Sequence, residues 1–407
     1  MNTAPFSQRR LLVKALLGGA AALPLASVSF AAAAQDAAKT GKRFVMVILR
    51  GGMDGLYAVP AVGDPDFAAA RGALSQYTDA ALPLNATFAL HPNLTQLHSL
   101  FQRGELGVVH AVGLGYRERS HFDAQQVLES GSSRPYELNT GWLGRALGVQ
   151  RAKGLALNTT VPLVLRGLGT VDTWAPSNLP DPSVDLVNRM ERMYGADSAL
   201  SVALARARAL HFDSGMSADM NSTGANNAAN NPANKGGNFV TLAGRAAEFL
   251  ALADGPQAAV LELGGWDSHA NQTSPNGPVA NNLHQLDAGL AALREGLLPS
   301  GTWQSTVVVV VSEFGREVAM NGTHGSDHGT GGVAFVLGGK VSGGQVWGDW
   351  PGLAKKDRYE GRDLRITTDI RSVLKGALGD HLGVSTRSLN AEVFPGSESV
   401  RTLALLR

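Results

Sequence analysis

The chain has 407 residues, a formal charge of +1, 44% apolar and 17% charged residues, and no cysteine. That length buries an ample core as one large or two ordinary domains, and the near-zero charge offers nothing to nucleic acid or to an anionic membrane surface. Without cysteine there are no disulfides and no thiolate ligands, so any metal is left to His, carboxylates and neutral oxygens, a set that suits zinc, manganese, magnesium or calcium.

Residues 1–34 read as an export signal. Arg9 and Arg10 precede an apolar, Ala-rich stretch to Phe30, and Ala32-Ala33-Ala34 offers a small-residue cleavage site. The run from Gln8 to Lys14 resembles the bacterial twin-arginine signal, which places the mature protein in the periplasm or outside the cell. An ordinary signal or an uncleaved anchor is the plainer alternative, and Pro24 with the nearby serines argues against a stable span. No other segment is long and apolar enough to cross a membrane. Residues 35–407 are expected to form one α/β domain with a polar insertion at about 213–238, rich in Asn, Ala and Gly.

The first strand is expected over residues 44–49, running into Gly51-Gly52-Met53-Asp54-Gly55. Residues 93–101 have helical spacing, and 106–112 read as a second strand, which together make a βαβ unit and point to a parallel sheet. Next comes Tyr116-Arg117-Glu118-Arg119-Ser120-His121-Phe122-Asp123, where Ser120 and Asp123 start a helix with a capping box. Ser120 is either just that cap or a nucleophile at a helix N-terminus. There Arg117 and Arg119 would hold an anion, and His121 is either an orienting partner or a helix-surface residue. A helix begins at 141, residues 161–165 form an edge strand, and 183–211 are helical. Helices over 239–252 and 279–297 flank a strand at 258–263, which runs into Gly264-Gly265-Trp266-Asp267-Ser268-His269. The unbroken β-branched run 306–311 fits a strand covered on both faces. It leads into Ser312-Glu313-Phe314-Gly315-Arg316 and then His324-Gly325-Ser326-Asp327-His328-Gly329. A strand at 333–337, a loop at 343–352 and a closing helix at 368–378, capped by Asp369, complete the chain.

Three strands that each end in a carboxylate or imidazole imply one polar site at the C-terminal edge of the sheet, where open α/β sheets bind ligands. Asp267 and His269 are two apart, so in extended backbone both point the same way. Asp54, Glu313 and His328 would join them around one ion or a pair, a set suited to zinc or manganese. A bound ion lowers the pKa of a water or hydroxyl and clamps the oxygens of a phosphoryl transfer. His91, His98, His110 and His284 are read as structural or surface residues.

The order strand–Asp, strand–capping Ser, strand–Asp/His, strand–acid, His–strand resembles the alkaline phosphatase-like superfamily of phosphatases, sulfatases and phosphodiesterases. The motifs around Asp54, Ser120, Asp267, Glu313 and His328 are more closely similar to an exported bacterial family designated domain of unknown function fifteen-hundred-and-one. The resemblance implies a three-layer α/β/α sandwich with a mostly parallel sheet and a two-metal site. In it Asp54 bridges the ions, Ser120 attacks, Asp267, His269 and His328 hold one ion, and Glu313 serves the other. Phe314 stands where the superfamily has an imidazole, with His324, His121 or Asp327 as substitutes. The implied activity is hydrolysis of phosphate or sulfate esters, of small molecules or glycans. A non-catalytic envelope protein with a protein partner is the alternative.

Overall fold

The computed structural model describes residues 41–176, 182–213 and 239–407. The expected export signal lies outside these residues, as does nearly all of the expected insertion. Residues Gly41–Arg407 form one compact unit.

The central strand is β1, Arg43–Leu49, buried along its whole length. After β1 the chain forms a short helix α1 (Gly55–Ala58), α2 (Phe67–Arg71) and a small antiparallel pair, β2 (Leu82–Pro83) with β3 (Ala89–Leu90). Helix α3 (Thr95–Gln102), strand β4 (Leu106–Gly113), helices α4 (His121–Ser130) and α5 (Trp142–Gln150), and strands β5 (Lys153–Ala156) and β6 (Thr170–Thr173) follow. Helices α6 (Val184–Tyr194), α7 (Ser198–Asp213) and α8 (Phe239–Ala251) lead to β7 (Ala258–Leu263), α9 (Pro278–Leu297) and β8 (Thr306–Ser312). The chain closes with β9 (Gly332–Leu337), β10 (Val346–Trp347), β11 (Thr368–Asp369) and α10 (Ile370–Gly376).

The large sheet runs β10-β4-β9-β8-β1-β7-β5-β6, with β11 also on β4. Its ladders are parallel except those of β9, which is antiparallel to both β4 and β8. Alternation along β1 shows why both faces are covered. Val45, Val47 and Leu49 pack in one apolar cluster with Leu97, Phe249 and Leu286 from α3, α8 and α9. Phe44, Met46 and Ile48 pack in another with Val127, Trp142 and Val373 from α4, α5 and α10. Strands buried on both faces read as unbroken apolar runs, as here. The architecture is an α/β/α sandwich with a mostly parallel sheet.

Three expectations need correction. Residues 161–165 are not an edge strand; Leu163–Leu165 form a 3₁₀ turn behind Pro162, and β5 and β6 supply that edge. The expected loop at 343–352 contributes β10. The first two long strands are parallel but not neighbours, because β8 and β9 lie between β1 and β4. The antiparallel β9 is what lets the chain deliver residues from the loop before it to the same edge as the C-terminal ends of β1, β4, β7 and β8.

Candidate metal centre

Four side chains converge at that edge. His121 opens α4 beyond β4; Asp267 and His269 follow β7; His328 precedes β9. Nε2 of His328 lies 3.0 Å from Nε2 of His121 and 3.1 Å from Nε2 of His269. Oδ1 of Asp267 is 2.9 Å from His269 Nε2 and 3.1 Å from His328 Nε2, and its Oδ2 is 3.4 Å from His121 Nε2. Ligand atoms of His121, Asp267 and His328 all lie within 4.8 Å of one another.

The other ring nitrogens explain this convergence. His121 Nδ1 is 2.8 Å from Glu313 Oε1, His269 Nδ1 is 2.9 Å from Asp327 Oδ1, and His328 Nδ1 is 3.0 Å from the Arg119 carbonyl. Each partner can only accept, so each Nδ1 carries the proton and donates it. A neutral ring then has its lone pair on Nε2. Three such lone pairs facing one another beside a carboxylate repel unless a cation sits among them. This is the outer arrangement of a metal-binding histidine, whose second nitrogen is fixed by a carboxylate or carbonyl. The donors present fit a divalent ion.

Burial and neighbouring charge shift His121, His328 and Asp267 in different directions. Burial opposes charge on His121, but the hydrogen bond and charge of Glu313, with Asp267 beyond, raise its pKa overall. Burial and the adjacent His121 lower that of His328. Burial favours protonated Asp267, yet the hydrogen bond and charge of Arg316 prevail and hold its carboxyl at about 2. Arg316 is buried and binds three segments at once. Its Nε donates to Gly52 O at 2.6 Å, Nη1 to Ser326 O at 3.1 Å, and Nη2 to Gly51 O at 2.5 Å and Asp267 Oδ1 at 2.6 Å. Two glycines permit the close approach. A Cβ on Gly51, whose φ is +117°, would sit 2.7 Å from the Asp267 nitrogen, and one on Gly325 2.2 Å from the His269 carbonyl carbon.

Of the expected ligands, Asp267, His269 and His328 come together, joined by His121, which the sequence offers as an orienting partner and as a substitute for the imidazole absent at Phe314. Glu313 and Asp327 stand one bond back. Glu313 is fully buried, and its Oε1 accepts from Gly51 N at 2.8 Å and Gln125 Nε2 at 3.0 Å as well as from His121. Asp327 Oδ1 also accepts from Asn321 Nδ2 at 3.1 Å. Asp54 is elsewhere: its Oδ2 accepts from buried Arg71 Nη2 at 2.5 Å and Gln272 Nε2 at 2.7 Å, and its Oδ1 caps α1. His324 is exposed, and among the described residues its hydrogen bonds are made by its backbone. Phe314 packs against His121 and His328, with ring centroids 4.7 and 5.1 Å apart.

Ser120 caps α4, its Oγ 3.5 Å from Asp123 N. Both its neighbours touch the centre, His121 through its ring and Arg119 through its carbonyl. Arg119 has a left-handed φ of +59°, and non-glycine strain of this kind clusters at functional sites. The Arg119 guanidinium is held by Asp363 at 2.8 Å and Glu360 at 2.6 Å, and Arg117 lies over the Tyr359 ring at 5.5 Å. Both side chains, expected to hold an anion, are tied to the 359–363 loop. Arg316 and Asn321 were not singled out from sequence; the motif after β8 did contain Arg316, but its burial could not be read there.

No curated protein sequence matches the chain. Among solved structures it resembles the lipoteichoic acid synthase LtaP from Listeria monocytogenes at 12% identity and TM-score 0.40, covering 86% of this chain and 74% of that one. It resembles the PsFucS1 sulfatase from Pseudoalteromonas sp. at 13% identity and TM-score 0.34, covering 80% and 68%. Murine ectonucleotide pyrophosphatase/phosphodiesterase 5 follows at 12% and 0.31, covering 67% and 57%. These likenesses are too distant to bear on chemistry. A family model described as "Protein of unknown function (DUF1501)" matches residues 41–392, which include every residue of the centre, and the chain belongs to that family.

Proposed function

We propose that the protein is an exported, metal-dependent hydrolase of phosphate or sulfate esters. The observation that carries the reading is the meeting of three Nδ1-anchored imidazoles and Asp267 at one sheet edge. His121, Asp267, His269 and His328 would hold the ion. A nitrogen-rich donor set favours zinc or a similar transition ion over magnesium or calcium, which want oxygen. When bound, such an ion supplies Lewis acidity toward an ester oxygen.

The chain's own groups do the rest. Ser120, flanked by two residues of the centre, is the nucleophile. The free N–H groups at the start of α4 favour a tetrahedral anion. Arg316 orients Asp267, while Glu313 and Asp327 fix the imidazole tautomers. Asp54 and Glu313 are committed to other partners, which supports one ion rather than two.

Elemental analysis of the purified protein is the first test, followed by a panel of aryl phosphate, phosphodiester and sulfate esters with Asp267→Ala and Ser120→Ala. Metal content that Asp267→Ala leaves unchanged would rule out the ligand assignment. Phe314, packed where the superfamily carries an imidazole, favours the second reading, a metal-stabilised binding protein of the envelope. Turnover of any ester, lost in Ser120→Ala, counts against it.

A further inference from the structure

Away from the centre, a cleft of about 470 Å³ opens between the residues after α2, the loop before α3 and the start of α9. Its floor is a cluster of three rings packed on one another: Tyr57 lies 5.4 Å from Tyr77 and 4.9 Å from His91, and Tyr77 stands edge-on to His91 at 5.2 Å, centroid to centroid, with Tyr57 and His91 buried and Tyr77 partly exposed. Asp79, Asn93 and His284 line its sides with small hydroxyl residues, and no Lys or Arg is among the described lining residues. His91 Nδ1 accepts the Asn93 backbone N–H at 3.1 Å, so the neutral ring carries its proton on Nε2, which has no partner among the described residues. Burial and nearby His284 push His91 down to about 4, and burial pushes Tyr57 up to about 12, so the floor is uncharged at neutral pH.

We infer that this cleft binds a neutral sugar residue, packed by its C–H face on the Tyr77 ring and hydrogen-bonded through its hydroxyls to His91 Nε2, Asp79 and Asn93. Ligand pockets of this size combine an apolar, aromatic floor with a few placed polar groups. Phosphate or sulfate finds no Lys or Arg among the described lining residues and meets the Asp79 carboxylate. A sugar's hydroxyls are what a mixture of carboxylate, amide and imidazole N–H satisfies, and its C–H face matches ring surface. The Asn93 amide already gives Nδ2 to Ala280 O at 3.3 Å, which leaves Oδ1 as an acceptor. The cleft wall at Ser274 belongs to the loop that carries His269, five residues earlier, so the two sites lie on one segment. The inference does not depend on the metal reading.

The test uses the full chain in chelator, so that its outcome is separate from that of the centre. Chitotriose, cellotriose and maltotriose are titrated by isothermal calorimetry and followed by saturation-transfer NMR, with adenosine and inorganic sulfate as controls. At least one trisaccharide is expected to bind with a Kd of about 1 mM or tighter. The exposed-rim variants Asp79→Asn and His284→Ala, which leave the core intact, should weaken it, Asp79→Asn by about tenfold. His91→Gln, checked for folding by thermal melting, should do the same. Absence of binding by all three sugars, binding unchanged in every variant, or preference for adenosine or sulfate overturns the assignment.

Discussion

Replacing Glu313 by Gln separates an ion's ligand from a residue that holds a ligand. Glu313 Oε1 accepts three hydrogen bonds, from Gly51 N and His121 Nδ1 at 2.8 Å and from Gln125 Nε2 at 3.0 Å, and Oε2 meets Ser312 Oγ at 3.1 Å. Gln has the same shape and keeps an oxygen for the first three. What disappears is the charge behind the His121 bond. Charge-assisted hydrogen bonds are about twice as strong as neutral ones, so the loss is roughly 1–1.5 kcal/mol. That is about tenfold in metal affinity, at the low end of the roughly 10–100-fold effect of altering such partners. Asp327→Asn should cost less, because its side chain is 46% exposed whereas that of Glu313 is fully buried. His121→Ala, which deletes a donor, should lose far more than either. Competition against a chromophoric chelator at fixed pH measures all three, with melting curves in chelator to confirm folding. If Glu313→Gln falls as far as His121→Ala, Glu313 binds the ion directly. If it matches the unaltered protein, the anchoring role is wrong.

Other outcomes follow from the same structure. Arg71→Ala strands the Asp54 carboxylate beneath α1 and should cost about 3–5 kcal/mol in urea unfolding, whereas the paired change Asp54→Asn/Arg71→Met should cost less. An equal loss in both would show that the ion pair is not what matters. His91, His110 and His381 are each pushed by burial to about 4. The unfolded chain therefore takes up protons below its usual pKa of about 6.5 that the folded chain refuses until about 4, and stability drops as pH falls through that window. From pH 7 to 5 the drop is roughly 2 kcal/mol per histidine, and His381→Gln should flatten the slope by about a third; an unaltered slope refutes it. Gly325→Ala should lower metal affinity without unfolding the sheet, since the added carbon drives into the His269 backbone. Full metal content in that variant would show that the loop yields.

Much of the sheet was legible because its strands carry their signal locally. The Val-rich run of β8 and the unbroken apolar run of β1 need no partner to be recognised. β5 and β6 were missed because each is four residues long with no clear apolar pattern, and Pro162 drew attention to the wrong segment. At the centre, residue types were readable and their roles were not. Glu313 and Asp327 have the composition of ligands, and only their distance to an imidazole nitrogen shows which side of the histidine they occupy. Asp54 failed to join because Arg71, seventeen positions on, reaches it inside the core. Nothing in the spacing announces that pair, nor the several carbonyls that Arg316 gathers.

The donors come from loops far apart along the chain: His121 and His328 are 207 positions apart, and Asp267 and His328 are 61 apart. Only Asp267 and His269 are neighbours, so an unfolded chain offers at best a weak chelate. Closing those distances is entropically uphill until the parallel ladders have zipped. On the proposed metal reading, capture of the cation is thus a late event in the life of each molecule. On that reading, its supply matters to the finished protein and not to the nascent one.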